Sequence, residues 1–161
     1  RPMSAGSGRS CGPAPGGHDV TYQAEAGLVG DRLPATFLAD LAGAEQVVSA
    51  VLLALREPSG TERTIGLRDA LDGFAAPVRH GLTRPGGRFG GADPAYGVYA
   101  SRDGRVAVAA LEPHFRARFY AALALPLDAP VAAVLATRTG DEWAALAARH
   151  DFPLRIVRND V

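Results

Sequence analysis

The longest hydrophobic stretch of the chain spans residues 33 to 56, with Leu38, Leu41, Val47, Val48, Val51, Leu52 and Leu55 mostly three or four positions apart. The small residues Ala42, Gly43, Ala44, Ser49 and Ala50 fill much of the rest. This spacing predicts a helix, and one so apolar and so small on its surface expects close neighbours on more than one side. Pro34 and Thr36 read as start signals and Pro58-Ser59-Gly60 as a stop. Asp40 then sits in the first turn or two of a mostly buried helix, where the dipole favours a negative charge. Read locally, it is a helix-start acid.

A second series at helical spacing runs through Leu67, Leu71, Phe74, Val78 and Leu82, with Pro77 inside it predicting a kink or an early end. His80 reads as a surface or helix-end charge. Residues 84 to 94, with four glycines and two prolines, predict a loop. The pattern then changes to a period of two: Tyr96 and Val98 alternate before Asp103-Gly104, and Val106 and Val108 after it, which predicts a β-hairpin. Pro113 suits the first position of a helix whose apolar face is Phe115, Phe119, Ala122 and Leu123. Glu112 falls at that strand-to-helix junction, and His114 beside it reads as exposed. Thr139 and Glu142 form a capping-box pattern opening a last helix with Trp143, Leu146 and Ala147 inward. The alternation from Phe152 to Val157 predicts a short terminal strand.

Composition narrows the class. A length of 161 residues, with 47% hydrophobic and 21% charged, fits one soluble globular domain with a core. A net charge of zero gives no electrostatic footprint for nucleic acid or an anionic membrane. Every one of the 17 basic residues is arginine, a coding bias that makes arginine a poor marker of a site. The single cysteine, Cys11, excludes an internal disulfide framework and a cysteine-based zinc site, which suits a reducing cytoplasm. Asp40, Glu45 and Gln46 interrupt the best candidate for a membrane span. Residues 1 to 17 are rich in Gly, Pro and Ser and read as a flexible lead-in without the apolar core of a signal peptide. They end in Gly16-Gly17 before His18-Asp19-Val20-Thr21-Tyr22. A double glycine lets the backbone come close to whatever the histidine faces, although taken alone it is a turn with a surface histidine.

Three segments in this order resemble the class III CoA-transferase family, and most of all its α-methylacyl-CoA racemase branch. They are Gly17-His18-Asp19-Val20-Thr21-Tyr22, then Leu38-Ala39-Asp40-Leu41-Ala42-Gly43 opening a long apolar helix, then the hairpin followed by Leu111-Glu112-Pro113-His114-Phe115. Gly90-Gly91-Ala92 and Asp141-Glu142-Trp143 also match, and the resemblance covers about residues 16 to 158. It implies His18, Asp40 and Glu112 as the catalytic set, with Asp19, Tyr22 and Gly91 of the matching segments as substrate-binding positions. Racemisation at the α-carbon of a thioester needs an acid/base on each face of a planar enolate. The resemblance implies Asp40 on one face and His18, paired with Glu112, on the other. Backbone N–H groups at the start of the Asp40 helix are expected to stabilise the enolate oxygen.

In the transferases an aspartate at that position attacks the thioester as a nucleophile, so Asp40 alone does not separate the two activities. His18 and Glu112 favour the racemase branch, since acyl transfer does not need them, and a non-catalytic relative that retains all three is the third alternative. No metal or permanently bound cofactor is implied; a coenzyme A thioester is the substrate, in the cytoplasm. The expected organisation is a lead-in (1–17), a remnant of a large CoA-binding domain (18–83), a crossing loop (84–94) and a small domain (95–161). The fold class is α/β, or α+β for this chain judged alone. The family's N-terminal Rossmann-like part precedes the matching region, so a homodimer or a partner chain supplying that lobe is implied. The connector from Ser59 to Gly66 departs from the family pattern.

Overall fold

The computed structural model describes residues 17–57 and 62–158, and the chain divides between Ala76 and Pro77 into two compact units. Cys11, most of the lead-in and the Pro58-Ser59-Gly60 stop lie outside the described residues. The secondary structure is α+β, helices with one antiparallel sheet of three strands, rather than the α/β alternative.

The first unit is helical. Helix α1 (Asp19–Glu25) and helix α2 (Leu38–Ala54) are followed by the short α3 (Leu67–Ala70) and the start of α4 (Asp72–Arg79). The expected second helix is thus broken at Leu71, while Pro77, expected to end or kink it, sits inside α4, which runs on to Arg79. Leu67 of α3 lies across Gly43 of α2, and Arg68 pairs with Glu25 at 2.8 Å to tie α3 to α1. Helix α2 is less covered than its composition demands. Only Ala39, Ala42 and Gly43 are buried, and the large apolar side chains at positions 41, 47, 48, 51, 52, 53 and 55 are 48% to 77% exposed. A helix apolar on every side is ordinarily buried on every side. Among the described residues of the first unit α1 and α3 cover one side and the connector residues Arg63 and Ile65 lie beside Val47, Ala50, Val51 and Ala54, yet the large apolar side chains stay exposed, so the expectation of a mostly buried helix is corrected.

The second unit holds the sheet, in order β1-β2-β3: β1 (Tyr96–Ala100), β2 (Arg105–Ala109) and β3 (Leu154–Ile156). The hairpin forms as its alternation predicts, with Tyr96 opposite Ala109 and Ala100 opposite Arg105. Val106, Val108 and Leu154 face the core. Against them pack α5 (Pro113–Leu123), α6 (Ala132–Leu135) and α7 (Gly140–His150), through Phe119, Tyr120, Leu123, Leu135 and Trp143. Pro113 takes the first position of α5, and Phe115 and Ala122 are only partly buried. The capping box of α7 is present: the Thr139 hydroxyl accepts from the Glu142 N–H at 3.2 Å and the Glu142 carboxylate from the Thr139 N–H at 2.8 Å. Asp103, in the hairpin turn, adds an unforeseen cap by accepting from the Gly140 N–H at 2.8 Å. That bond holds its carboxyl below the ordinary value.

One ion-pair cluster has a consequence for acid stability. Arg116 of α5 donates to both oxygens of Asp93, at 3.0 Å each, and also to Asp128. Asp93, with a side chain 12% exposed, is held below its ordinary pKa of 3.8 chiefly by that guanidinium, and further by the Ala95 N–H. A carboxyl depressed in the folded state contributes stability that is complete above its unfolded pKa and is lost as pH falls through the folded one. The second unit should therefore lose stability below pH 3.8. Asp93→Asn should lower the melting temperature at pH 7 and flatten its fall between about pH 4 and pH 2. Melting by circular dichroism across that range measures it, and an unchanged slope would count against the cluster's role.

Candidate acid-base site

The site is built around a helix start that lacks a local cap. Helix α2 begins after Phe37, whose side chain offers no acceptor, so the first N–H groups of α2 must find partners elsewhere. Pro34 and Thr36, read as start signals, do not supply them. Asp19 does, from 20 residues upstream: its Oδ1 accepts from the Ala39 N–H at 2.6 Å and from the Asp40 N–H at 3.3 Å. Its Oδ2 accepts from the Gln23 amide at 2.5 Å, one turn along α1, and the same amide nitrogen donates to the Thr36 carbonyl at 2.9 Å. Among the described residues of the first unit, Asp19 and Gln23 are the buried polar side chains, 6% and 2% exposed. Burial of a carboxylate is tolerable here because every bond it needs is made.

This junction brings together the two ends that the sequence marks. His18 precedes Asp19 at the start of α1, where the Thr21 hydroxyl donates to its carbonyl at 2.7 Å and accepts from its N–H at 3.0 Å. The Tyr22 ring packs over Gly17 so closely that a Cβ there would lie 2.9 Å from it, so what the glycine admits is this ring. His18 and Asp40 are both exposed, and among the described residues the Asp40 carboxylate has no hydrogen-bond or ion-pair partner. An imidazole and a carboxylate at adjoining helix starts can each give or take a proton.

Two expectations change. The N–H groups of Ala39 and Asp40 are taken up by Asp19 and so are not free for an enolate oxygen. Asp19, implied as substrate-binding, has both oxygens engaged within the junction and acts on Asp40 through its backbone. Gln23 was missed altogether. The available signal was the absence of a capping side chain at Phe37, which obliges a partner from elsewhere.

In the second unit, Glu112 is the residue before α5 and is exposed; its carbonyl accepts from the Arg116 N–H at 2.9 Å and its side chain makes no capping bond. Gly91 lies in a wide turn (Arg88–Ala92) at φ 106°, a left-handed conformation that favours glycine. Among the described residues no group of three His, Cys, Asp or Glu side chains could hold a metal ion.

No family model matches the chain, and no curated protein matches it. Solved structures do. The crystal structure of the hypothetical protein Rv3272 from Mycobacterium tuberculosis is similar at a TM-score of 0.70 and 20% identity, over 92% of this chain and 50% of that one. The orthorhombic form of Rv3272 gives 0.72 and 19%, over 92% and 49%. Its D175A mutant gives 0.71 and 18%, over the same shares. Likeness at this level of identity concerns the fold alone, so this chain has a fold like that of about half of Rv3272.

Proposed function

We propose that this chain carries the acid-base groups of an acyl-CoA racemase or epimerase of the class III CoA-transferase family, moving a proton at the α-carbon of a 2-methylacyl-CoA thioester. The observation that carries the reading is the Asp19 junction, which seats Asp40 at the start of α2 beside the His18 end of α1 while leaving both side chains exposed. In this scheme Asp40 takes the α-proton as a carboxylate, leaving an enolate, and the His18 imidazolium returns a proton to the opposite face. Glu112 enters the scheme through the resemblance alone, as the implied carboxylate partner of the histidine.

The enolate oxygen needs donors other than the Ala39 and Asp40 N–H groups. We assign them, with most of the CoA site, to a Rossmann-like lobe in cis or on a partner chain, in a homodimeric assembly in the cytoplasm. The uncovered apolar sides of α2 support such a lobe, which would bury them.

The reading is tested by incubating the protein with a 2-methylacyl-CoA in heavy water and following deuterium at C2 by mass spectrometry, with hydroxylamine present in a parallel sample. Exchange without a trapped acyl group supports proton transfer. An acyl hydroxamate formed at the expense of an Asp40 adduct would move the assignment to acyl transfer with Asp40 as nucleophile.

A further inference from the structure

The sheet of the second unit has one face packed on the core and one open. Its register aligns Val98, Ala107 and Arg155 in a row across the open face. Tyr96 and Ala109 form the next row, continued by Pro153, whose carbonyl accepts from the Ala109 N–H at 3.2 Å. The central strand thus carries only methyl groups here while both edges carry larger side chains, so the face is a trough. Phe89, from the turn ahead of β1, raises one wall by packing edge-on against Tyr96 at 5.1 Å between centroids. The trough encloses about 680 Å³, within the roughly 300–1,000 Å³ usual for small-molecule sites. Val106, Val108 and Leu154, buried in the core, back the strands that form its floor.

The polar side-chain groups of its lining are two, the Arg155 guanidinium and the Tyr96 hydroxyl, and the charged one is a cation. Arg155 donates to the Leu154 carbonyl at 2.8 Å, and among the described residues it pairs with no carboxylate. The Tyr96 hydroxyl has no hydrogen-bond partner among the described residues. No acidic side chain lines the trough. A guanidinium at the edge of an apolar floor selects an anion joined to an apolar tail, since the fork matches a carboxylate and the alanine floor accepts methylene groups.

We propose that this trough binds a medium-length unbranched acyl chain ending in a carboxylate, with the tail over Ala107 and Ala109 and the head on Arg155. The site lies within the second unit and includes Gly91 in its lining, while its chemistry rests on the apolar trough and Arg155 and not on the acid-base reading. Titrating the whole chain with decanoate by calorimetry, and with decyltrimethylammonium as the same tail bearing the opposite charge, tests it. Decanoate should bind saturably at one site, and decyltrimethylammonium about tenfold or more weaker. Arg155→Leu should weaken decanoate by about tenfold. Val98→Glu, which puts an anion in the same row from an exposed edge position, should abolish binding without changing the melting temperature. The proposal is overturned by equal affinity for both detergents, by full binding in either variant, or by no saturable binding. It is overturned equally if sedimentation shows a dimer that Val98→Glu dissociates, because a second copy would then be the occupant.

Discussion

Asp19→Ala should destabilise the first unit by about 3 kcal/mol, because a buried, fully bonded carboxylate is worth more than an ordinary cap. Loss of a surface cap costs about 1 kcal/mol. Here the substitution also strips the Gln23 amide of one acceptor in a buried place and leaves the Ala39 N–H, at 2.6 Å from the lost oxygen, without a partner. Each buried group left unpaired adds about 1–3 kcal/mol. Asp19→Asn should fall between wild type and alanine, since one amide oxygen can still accept from α2 while its NH₂ group opposes the Gln23 donor. Urea unfolding followed by helical circular dichroism gives the difference; a loss under about 0.5 kcal/mol for the alanine variant would show that the junction is not what holds α2.

The second unit should respond as strongly to Trp143→Ala, by about 3–5 kcal/mol. Trp143 is 1% exposed in the middle of the core, between the sheet and α6, and its indole N–H donates to the Leu135 carbonyl at 2.7 Å. Truncation removes both the packing and that bond and leaves a large cavity. Trp143→Phe separates the two contributions. It keeps a ring in the core but leaves the carbonyl unpaired, and should cost about 1–3 kcal/mol more than its loss of volume alone. A melting temperature equal to wild type in Trp143→Phe would mean that water or another donor serves Leu135.

What could be read from the sequence is what local chemistry writes there. The hairpin around Asp103-Gly104, Pro113 opening α5 and the Thr139–Glu142 capping box all declare themselves within a few residues, and each stands where it was expected. The carboxylates that matter most for position act across longer intervals. Asp19 caps α2 from 20 residues away and Asp103 caps α7 from 37, and nothing adjoining either acid marks the helix it serves. Asp40 at a helix start was legible because the dipole and the apolar period both point to it. The expectation that its backbone donors would face a substrate failed because those donors had already been used. The apolar period of α2 was equally plain, but a period states only that a face must be covered and does not say by what.

The proposed chemistry is tested most directly by comparing wild type with Asp40→Asn in heavy water, using a 2-methylacyl-CoA of defined configuration and counting deuterium at C2. Asparagine keeps the size of the side chain and the backbone N–H that Asp19 holds, so melting should be unchanged while proton removal is lost. Wild type should incorporate one deuterium per molecule of thioester, with loss of configuration, and the variant should do so at least about 100-fold more slowly. Equal incorporation by the two proteins would contradict Asp40 as the base, and its absence in wild type supplied with the lobe that completes the CoA site would contradict the reading as a whole.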